Sequence, residues 1–450
     1  MRDLVNITTK NLYQATYDAC YKANIYLPKE VLTALTDIKE NEDTAKMDKI
    51  FANSVIAAKN SRPLCQDTGQ IIVFLEIGQN VYLDEIPQEI INKAISDCYV
   101  DKFFRKSIVN DSLFDRTNTN NNTPTIIYTN IVRGNEIKID LLIKGGGAEN
   151  MSTVKMLTPS ASEDDIINEI TDIVQASGQN ACPPLFLGVG IGGTLDYSSV
   201  LSKKAYFSNE NKQFAEKLKK HINENSDTKV ADVKMLTSST HIACMPLAVT
   251  INCHSCRHAS VLVKQNGYEL LTEFDVANET ENQQYNKKEI QTNEVEILKN
   301  LNRNEEILLS GTIYTARDMA HKKIIELIEK GETLPFELKH SIIFYAGPCP
   351  KKENEQIGPI GPTTAKRMDK FAPILYDLGM LATIGKGERN REVQQSIKNN
   401  NALYFSVQGG VASLLQSCIK NVEIIAFEEL GTEAIYKLEV EKLPVKVELN

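Results

Sequence analysis

The sequence predicts an α/β protein built as two domains, and three observations carry that prediction. A chain of 450 residues is too long for one ordinary hydrophobic core. Short β-branched runs alternate with stretches whose apolar residues recur at helical spacing. Between about residues 276 and 300 the chain turns polar, dominated by Asn, Gln, Glu and Lys, which reads as a linker. The expected division is therefore 1–275, a linker over 276–300, and a smaller domain over 301–450.

The first sixty residues read as helices. Pro28 suits a first helical position, with Val31, Leu35 and Ile38 following at helical spacing, and Met47, Phe51, Val55 and Ala58 make a second stripe. Next comes Ser61-Arg62-Pro63-Leu64-Cys65-Gln66-Asp67-Thr68-Gly69, then the apolar run Ile71-Ile72-Val73-Phe74-Leu75. That run reads as a buried strand bounded by Gly69 and Gly78, so a cysteine and a carboxylate sit on a loop held against a rigid element. Residues 87–105 read as a helix with Ile90, Ile91, Ala94 and Cys98 on one face. Residues 125–132 and 136–143 read as a hairpin about Arg133-Gly134-Asn135. It runs into Lys144-Gly145-Gly146-Gly147, which lacks the lysine–hydroxyl ending of a phosphate loop.

An amphipathic helix over 163–175 precedes Cys182-Pro183-Pro184, a rigid extended turn. The glycines of 188–193 do not read as a dinucleotide fingerprint, because the lead-in strand is short and proline-bounded. A strand over 247–251 leads to Asn252-Cys253-His254-Ser255-Cys256. This C-x-x-C has no second pair to complete a zinc site. In the last third, strands over 342–346, 380–384 and 402–407 alternate with helices, and residues 358–368 read as the opening of a helix.

Composition narrows the function classes. A net charge of -9 argues against a nucleic-acid backbone as the partner. No apolar run approaches a membrane span, and the start Met1-Arg2-Asp3 has no signal-peptide core, so a cytoplasmic protein without a membrane partner is expected. Nine cysteines, scattered from Cys20 to Cys418, suit free thiols, metal ligands or catalytic groups rather than disulfides. Cys65, Cys182 and Cys253 each sit in a loop with proline or glycine nearby. Three thiolates from distant segments suit a cubane cluster with one open iron; three unrelated buried thiols is the competing reading.

At these residues the sequence resembles the class I (iron–sulfur-dependent) fumarases and the related L-tartrate dehydratases, in the form that fuses two subunits into one chain. The matching stretches are Pro63-Leu64-Cys65-Gln66-Asp67-Thr68-Gly69, Lys144-Gly145-Gly146-Gly147, Cys182-Pro183-Pro184, Asn252-Cys253-His254, Leu309-Ser310-Gly311-Thr312, Tyr345-Ala346-Gly347-Pro348 and Gly361-Pro362-Thr363-Thr364-Ala365, in family order. The resemblance implies a family-specific α/β domain followed by a swivelling α/β domain, and a [4Fe–4S] cluster on Cys65, Cys182 and Cys253. It implies reversible hydration of fumarate to L-malate, with Asp67 and Thr363 in proton transfer. Substrate binding falls by resemblance to Gln66, Arg105, Gly147, His241, Arg317, Thr364, Arg367 and Lys386. Arginine forks suit two carboxylates, whereas threonine is a weak base needing a neighbouring group to activate it. A homodimer acting on a small dicarboxylate is expected. L-tartrate dehydratase and mesaconate hydratase are the nearest alternatives; a cluster-bearing redox sensor and a zinc-stabilised binding module are alternatives of other classes.

Overall fold

The computed structural model describes residues 4–41, 44–278 and 287–450 and divides into two compact units, 1–278 and 279–450. In the first unit, helices α1 (Thr9–Ile25), α2 (Lys29–Asn41) and α3 (Thr44–Asn60) lead to strand β1 (Gln70–Gly78). Helix α4 (Pro87–Asp101) precedes β2 (Ile126–Val132) and β3 (Ile137–Lys144). Then follow β4 (Thr153–Leu157), α5 (Glu163–Ser177), β5 (Leu185–Gly193), α6 (Leu195–Lys204), α7 (Lys212–Asn225), β6 (Val230–Thr240), β7 (Met245–Asn252), β8 (His258–Lys264) and β9 (Gly267–Leu270).

These strands make two principal sheets, ordered β9-β8-β3-β1-β2 and β4-β7-β5-β6. The first corrects the expected hairpin. Strands β2 and β3 do not pair with each other; β1 lies between them, parallel to β2 and antiparallel to β3. The turn at Arg133-Gly134-Asn135 closes over the end of β1, where the Asn80 N–H donates to the Gly134 carbonyl and the Gly78 N–H to that of Glu136. Hydrophobicity explains the insertion. The run from Ile71 to Leu75 is buried throughout, as a central strand covered on both faces must be, while β2 is mostly exposed. Helices α1 and α4 pack their apolar faces on this sheet, with Leu12, Ala19, Ile91, Ile95, Val73 and Leu141 in one core.

In the second sheet the glycines of β5 have a packing role. A side chain at Gly188 would come within 2.0 Å of the Ser202 carbonyl oxygen, and one at Gly190 within 2.2 Å of that of Ser198. Helix α6 therefore lies directly on the strand, and only glycine admits it.

The second unit holds β10 (Glu289–Gln291), β11 (Glu306–Thr315), α8 (Asp318–Lys330), β12 (Ile342–Phe344), β13 (Ala382–Gly385), α9 (Arg391–Asn399), β14 (Leu403–Ser406), β15 (Ile419–Ala426) and β16 (Ile435–Leu449). Strands β11 to β14 run parallel, and the long β16 pairs antiparallel with both β14 and β11, so the sheet closes on itself. Of the stretch read as a linker, 279–286 lies outside the described residues. The remainder is not all linker: β10 pairs in parallel with β11 and Val295–Lys299 is helical. Polarity concealed this edge strand because only Ile290 points inward, between exposed Glu289 and Gln291. No described helix is long and apolar enough to cross a membrane.

Candidate active site

In the first unit the cysteine loops are tied together by hydrogen bonds. The His254 N–H donates to the Cys182 carbonyl at 3.3 Å, joining the second and third cysteine segments. Arg257, on the turn after Cys253, donates to the Asp67 carbonyl at 2.6 Å, joining the third segment to the first. Cys65 is buried, at 7% exposure, whereas Cys182 and Cys253 are half-buried. Cys182 adopts a left-handed φ of +59°, uncommon for a residue with a Cβ. Burial first, then the neighbouring Cys253 and Asp67, pushes the Cys65 thiol up to about 12, while the Arg257 charge works against the rise. The other thiol of the C-x-x-C, Cys256, is enclosed at 2% exposure beside Asn252 and His258.

Asp67 sits at the rim of this set. Its carboxylate accepts from the Gly146 N–H at 2.8 Å and the Gly69 N–H at 3.2 Å, and Arg105 stands 3.7 Å away. Burial raises the carboxyl, but Arg105, Arg257 and the two N–H groups outweigh it and hold Asp67 below the usual carboxylate range. Gly69 is required here: it has φ +73°, and a side chain would meet the Lys144 carbonyl at 2.7 Å. The Arg105 backbone is fixed by the Thr68 hydroxyl, which donates to its carbonyl at 2.5 Å. Gln66 is buried, its amide oxygen 3.5 Å from the Cys65 sulfur. Gly147 lies in the one-turn helix Gly146–Glu149 that faces Asp67.

Of the residues expected from the first unit, one is not brought here. His241 is exposed in the turn between β6 and β7, its Nδ1 accepting from the Ala243 N–H. Register explains the separation. Thr240 pairs with Gly193 at one end of the sheet, whereas Asn252, just before Cys253, pairs with Phe186 at the other. Seven residues of strand place the two ends roughly 23 Å apart. Within one copy of the chain, His241 does not reach the cysteine loops.

In the second unit Thr363, Thr364, Arg367, Lys386 and Arg317 gather around the ends of β12 and β13. The Thr363 N–H donates to the Tyr345 carbonyl at 2.8 Å, and Thr364 bridges Lys386. These strand-like bonds overturn the helix expected from residue 358; only a short turn, Ala365–Met368, is helical. Thr363 and Arg367 nevertheless meet, the guanidinium donating to the Thr363 hydroxyl at 3.0 Å. Arg367 also grips Asp318 with both arms of its fork, at 3.1 and 2.5 Å. Arg317, preceding Asp318, lies 3.3 Å from Glu433. A side chain at Gly347 would come within 2.8 Å of the Arg317 guanidinium, so this glycine makes room for it.

Several residues near these two sets were given no role by sequence reasoning, Lys144 having been read only as part of a glycine-rich stretch. Lys144 is buried, donates to the Ile251 carbonyl and lies 3.5 Å from Glu149, which also pairs with Lys203 at 2.6 Å; burial lowers its ammonium to about 8. Arg389 and Asp369 form a buried pair at 2.6 Å beneath the Thr363 segment. Arg257 and Asp318 adjoin residues that were singled out, and that adjacency was the only signal for them.

The donor set can be tested against the cluster that the resemblance implies. Among the described residues, no three His, Cys, Asp or Glu side chains converge on one metal ion. A cubane cluster instead takes each thiolate on a different iron, so three separated cysteines on joined loops, none in a disulfide, fit it.

A family profile described as "Fumarate hydratase (Fumerase)" matches residues 13–262, and one described as "Fumarase C-terminus" matches residues 261–450. The chain therefore belongs to the fumarase family, of class I fumarate hydratase type, the enzymes of which are carbon–oxygen hydro-lyases. The chain is 30% identical to a protein named "Fumarate hydratase class I, anaerobic" from Escherichia coli K12, over 96% of this chain and 86% of the relative. It is 29% identical to "Fumarate hydratase 1, mitochondrial" from Leishmania major, over 92% and 83%. The "Putative L(+)-tartrate dehydratase subunit alpha" of Methanocaldococcus jannaschii is 33% identical, over 54% of this chain and 94% of the relative.

Proposed function

We propose that this chain catalyses the reversible hydration of fumarate to L-malate, holding a [4Fe–4S] cluster on Cys65, Cys182 and Cys253. The observation that carries the reading is the joining of the three cysteine loops around the half-buried, multiply hydrogen-bonded Asp67. When bound, such a cluster supplies a Lewis acid for a hydroxyl leaving group. The half-buried Cys253, rather than the enclosed Cys256, is taken as third ligand.

The remaining work belongs to the protein's own groups. Arg105, Arg317, Arg367 and Lys386 neutralise and orient the two carboxylates of the substrate, with Gln66, Gly147 and Thr364 bounding its position. Asp67 and Thr363 move the proton. The Arg367 guanidinium at 3.0 Å supplies the cation that a threonine hydroxyl needs to give up its proton. A cytoplasmic homodimer with no nucleic-acid or membrane partner completes the reading, and His241 then requires a position other than the one it has within a single copy.

Tartrate dehydration has one specific support, the 33% identity to a putative L(+)-tartrate dehydratase alpha subunit over 54% of this chain. That match leaves nearly half of the chain without support from it. The test is anaerobic reconstitution followed by kcat/KM for malate, fumarate, L-tartrate and mesaconate side by side. Preference for malate and fumarate supports the proposal; preference for tartrate replaces the substrate.

A further inference from the structure

Arg257 carries a permanent positive charge into the interior, at 2% exposure. Its guanidinium donates to the Asp67 carbonyl at 2.6 Å and to the Asn24 side-chain oxygen at 3.2 Å. Both acceptors are neutral. The Asp67 carboxylate is held instead by Arg105 and by two backbone N–H groups, and among the described residues Arg257 makes no ion pair within 4 Å. A buried cation whose hydrogen-bond partners are neutral is costly to fold unless anions face it, and the nearby Asp67 carboxylate, which Arg257 helps keep ionised, is one. The backbone points to where a second stands. Arg257 is four residues beyond Cys253, and its side chain reaches across to the loop of Cys65.

We propose that Arg257 is a positioning residue and the resident counter-cation of the three-thiolate set. It fixes the Cys65 loop against the Cys253 turn, and its charge offsets the net negative charge that three thiolates leave on a bound cluster. The inference rests on the cluster reading above.

The test compares parent, Arg257→Gln and Arg257→Lys after anaerobic reconstitution, reading iron loss to a chelator and the cluster reduction potential. Arg257→Gln should release iron at least about tenfold faster and shift the potential to more negative values, since a cation that favours the reduced state is gone. Arg257→Lys should stay close to the parent in both, because it keeps the charge. Thermal unfolding of the metal-free proteins separates this from a purely structural tie: metal-free Arg257→Gln should unfold no more easily than metal-free parent, because the charge removed is buried with only neutral hydrogen-bond partners. Parent-like iron retention and potential in Arg257→Gln overturns the inference, as does a lysine variant that falls as far as the glutamine one. Should Arg257→Gln fail to fold, the lysine variant decides between the same two outcomes. A parent protein that forms no [4Fe–4S] spectrum sinks the cluster reading itself, which is a different failure.

Discussion

Arg367 shows how a single side chain ties two groups together. Its fork holds Asp318 with two hydrogen bonds while the remaining nitrogen reaches the Thr363 hydroxyl. Lysine cannot reproduce that geometry. Arg367→Lys is therefore expected to lower kcat/KM by about tenfold or more, the worth of one charge-assisted hydrogen bond, with the cluster spectrum unchanged. Thr363→Ala removes the hydroxyl proposed to handle the proton, and kcat should then fall by about a hundredfold or more with iron content at the parent level. Loss of the cluster in that variant would show Thr363 to be structural. Motif order brought Thr363 and Arg367 into view; Asp318, the group that aims the guanidinium, had no motif of its own. A carboxylate that serves a neighbour leaves little trace in a sequence, because an exposed Asp at a helix start looks the same.

At the scale of elements, packing decides what pattern leaves open. The apolar density from Ile71 to Leu75 identified a buried strand, but not that the strand would part the expected hairpin; turn chemistry at Arg133-Gly134-Asn135 pointed to local pairing, and the burial of β1 overrode it. The glycines of β5 did not read as a dinucleotide fingerprint, and their packing role is visible only with α6 lying on them. Gly190→Ala should destabilise the first unit by about 3 kcal/mol, the cost of overpacking against an unyielding backbone, read as a lower urea midpoint. In the second unit, His321 is fully buried, donates from Nδ1 to the Arg317 carbonyl at 2.9 Å and stacks on Phe371. Burial depresses it from 6.5 to about 4, so the folded state binds fewer protons than the unfolded chain between those values. Its contribution is intact above pH 6.5 and is lost as pH falls towards 4, by up to about 3 kcal/mol. Equilibrium unfolding from pH 7 to 4 should show this loss, and His321→Phe should flatten it.

For the whole molecule, the family is written in short motifs spread from Pro63 to Ala365, and these were legible because loops that hold reactive groups tolerate few residue types. Two features were not. The polar stretch hid the strand β10, since an edge strand of three residues needs one inward side chain. The location of His241 depends on strand register, which no local pattern encodes. The central claim is that three cysteine loops, joined through Arg257 and His254, hold a cluster that serves a hydratase. The most direct measurement is anaerobic iron–sulfide reconstitution followed by kcat/KM on malate, fumarate, L-tartrate and mesaconate. The account predicts a [4Fe–4S] spectrum lost in Cys65→Ser, Cys182→Ser and Cys253→Ser but retained in Cys256→Ser, with malate and fumarate the preferred substrates. A well-formed cluster without turnover on any of the four would contradict the hydratase reading and leave the redox sensor in its place.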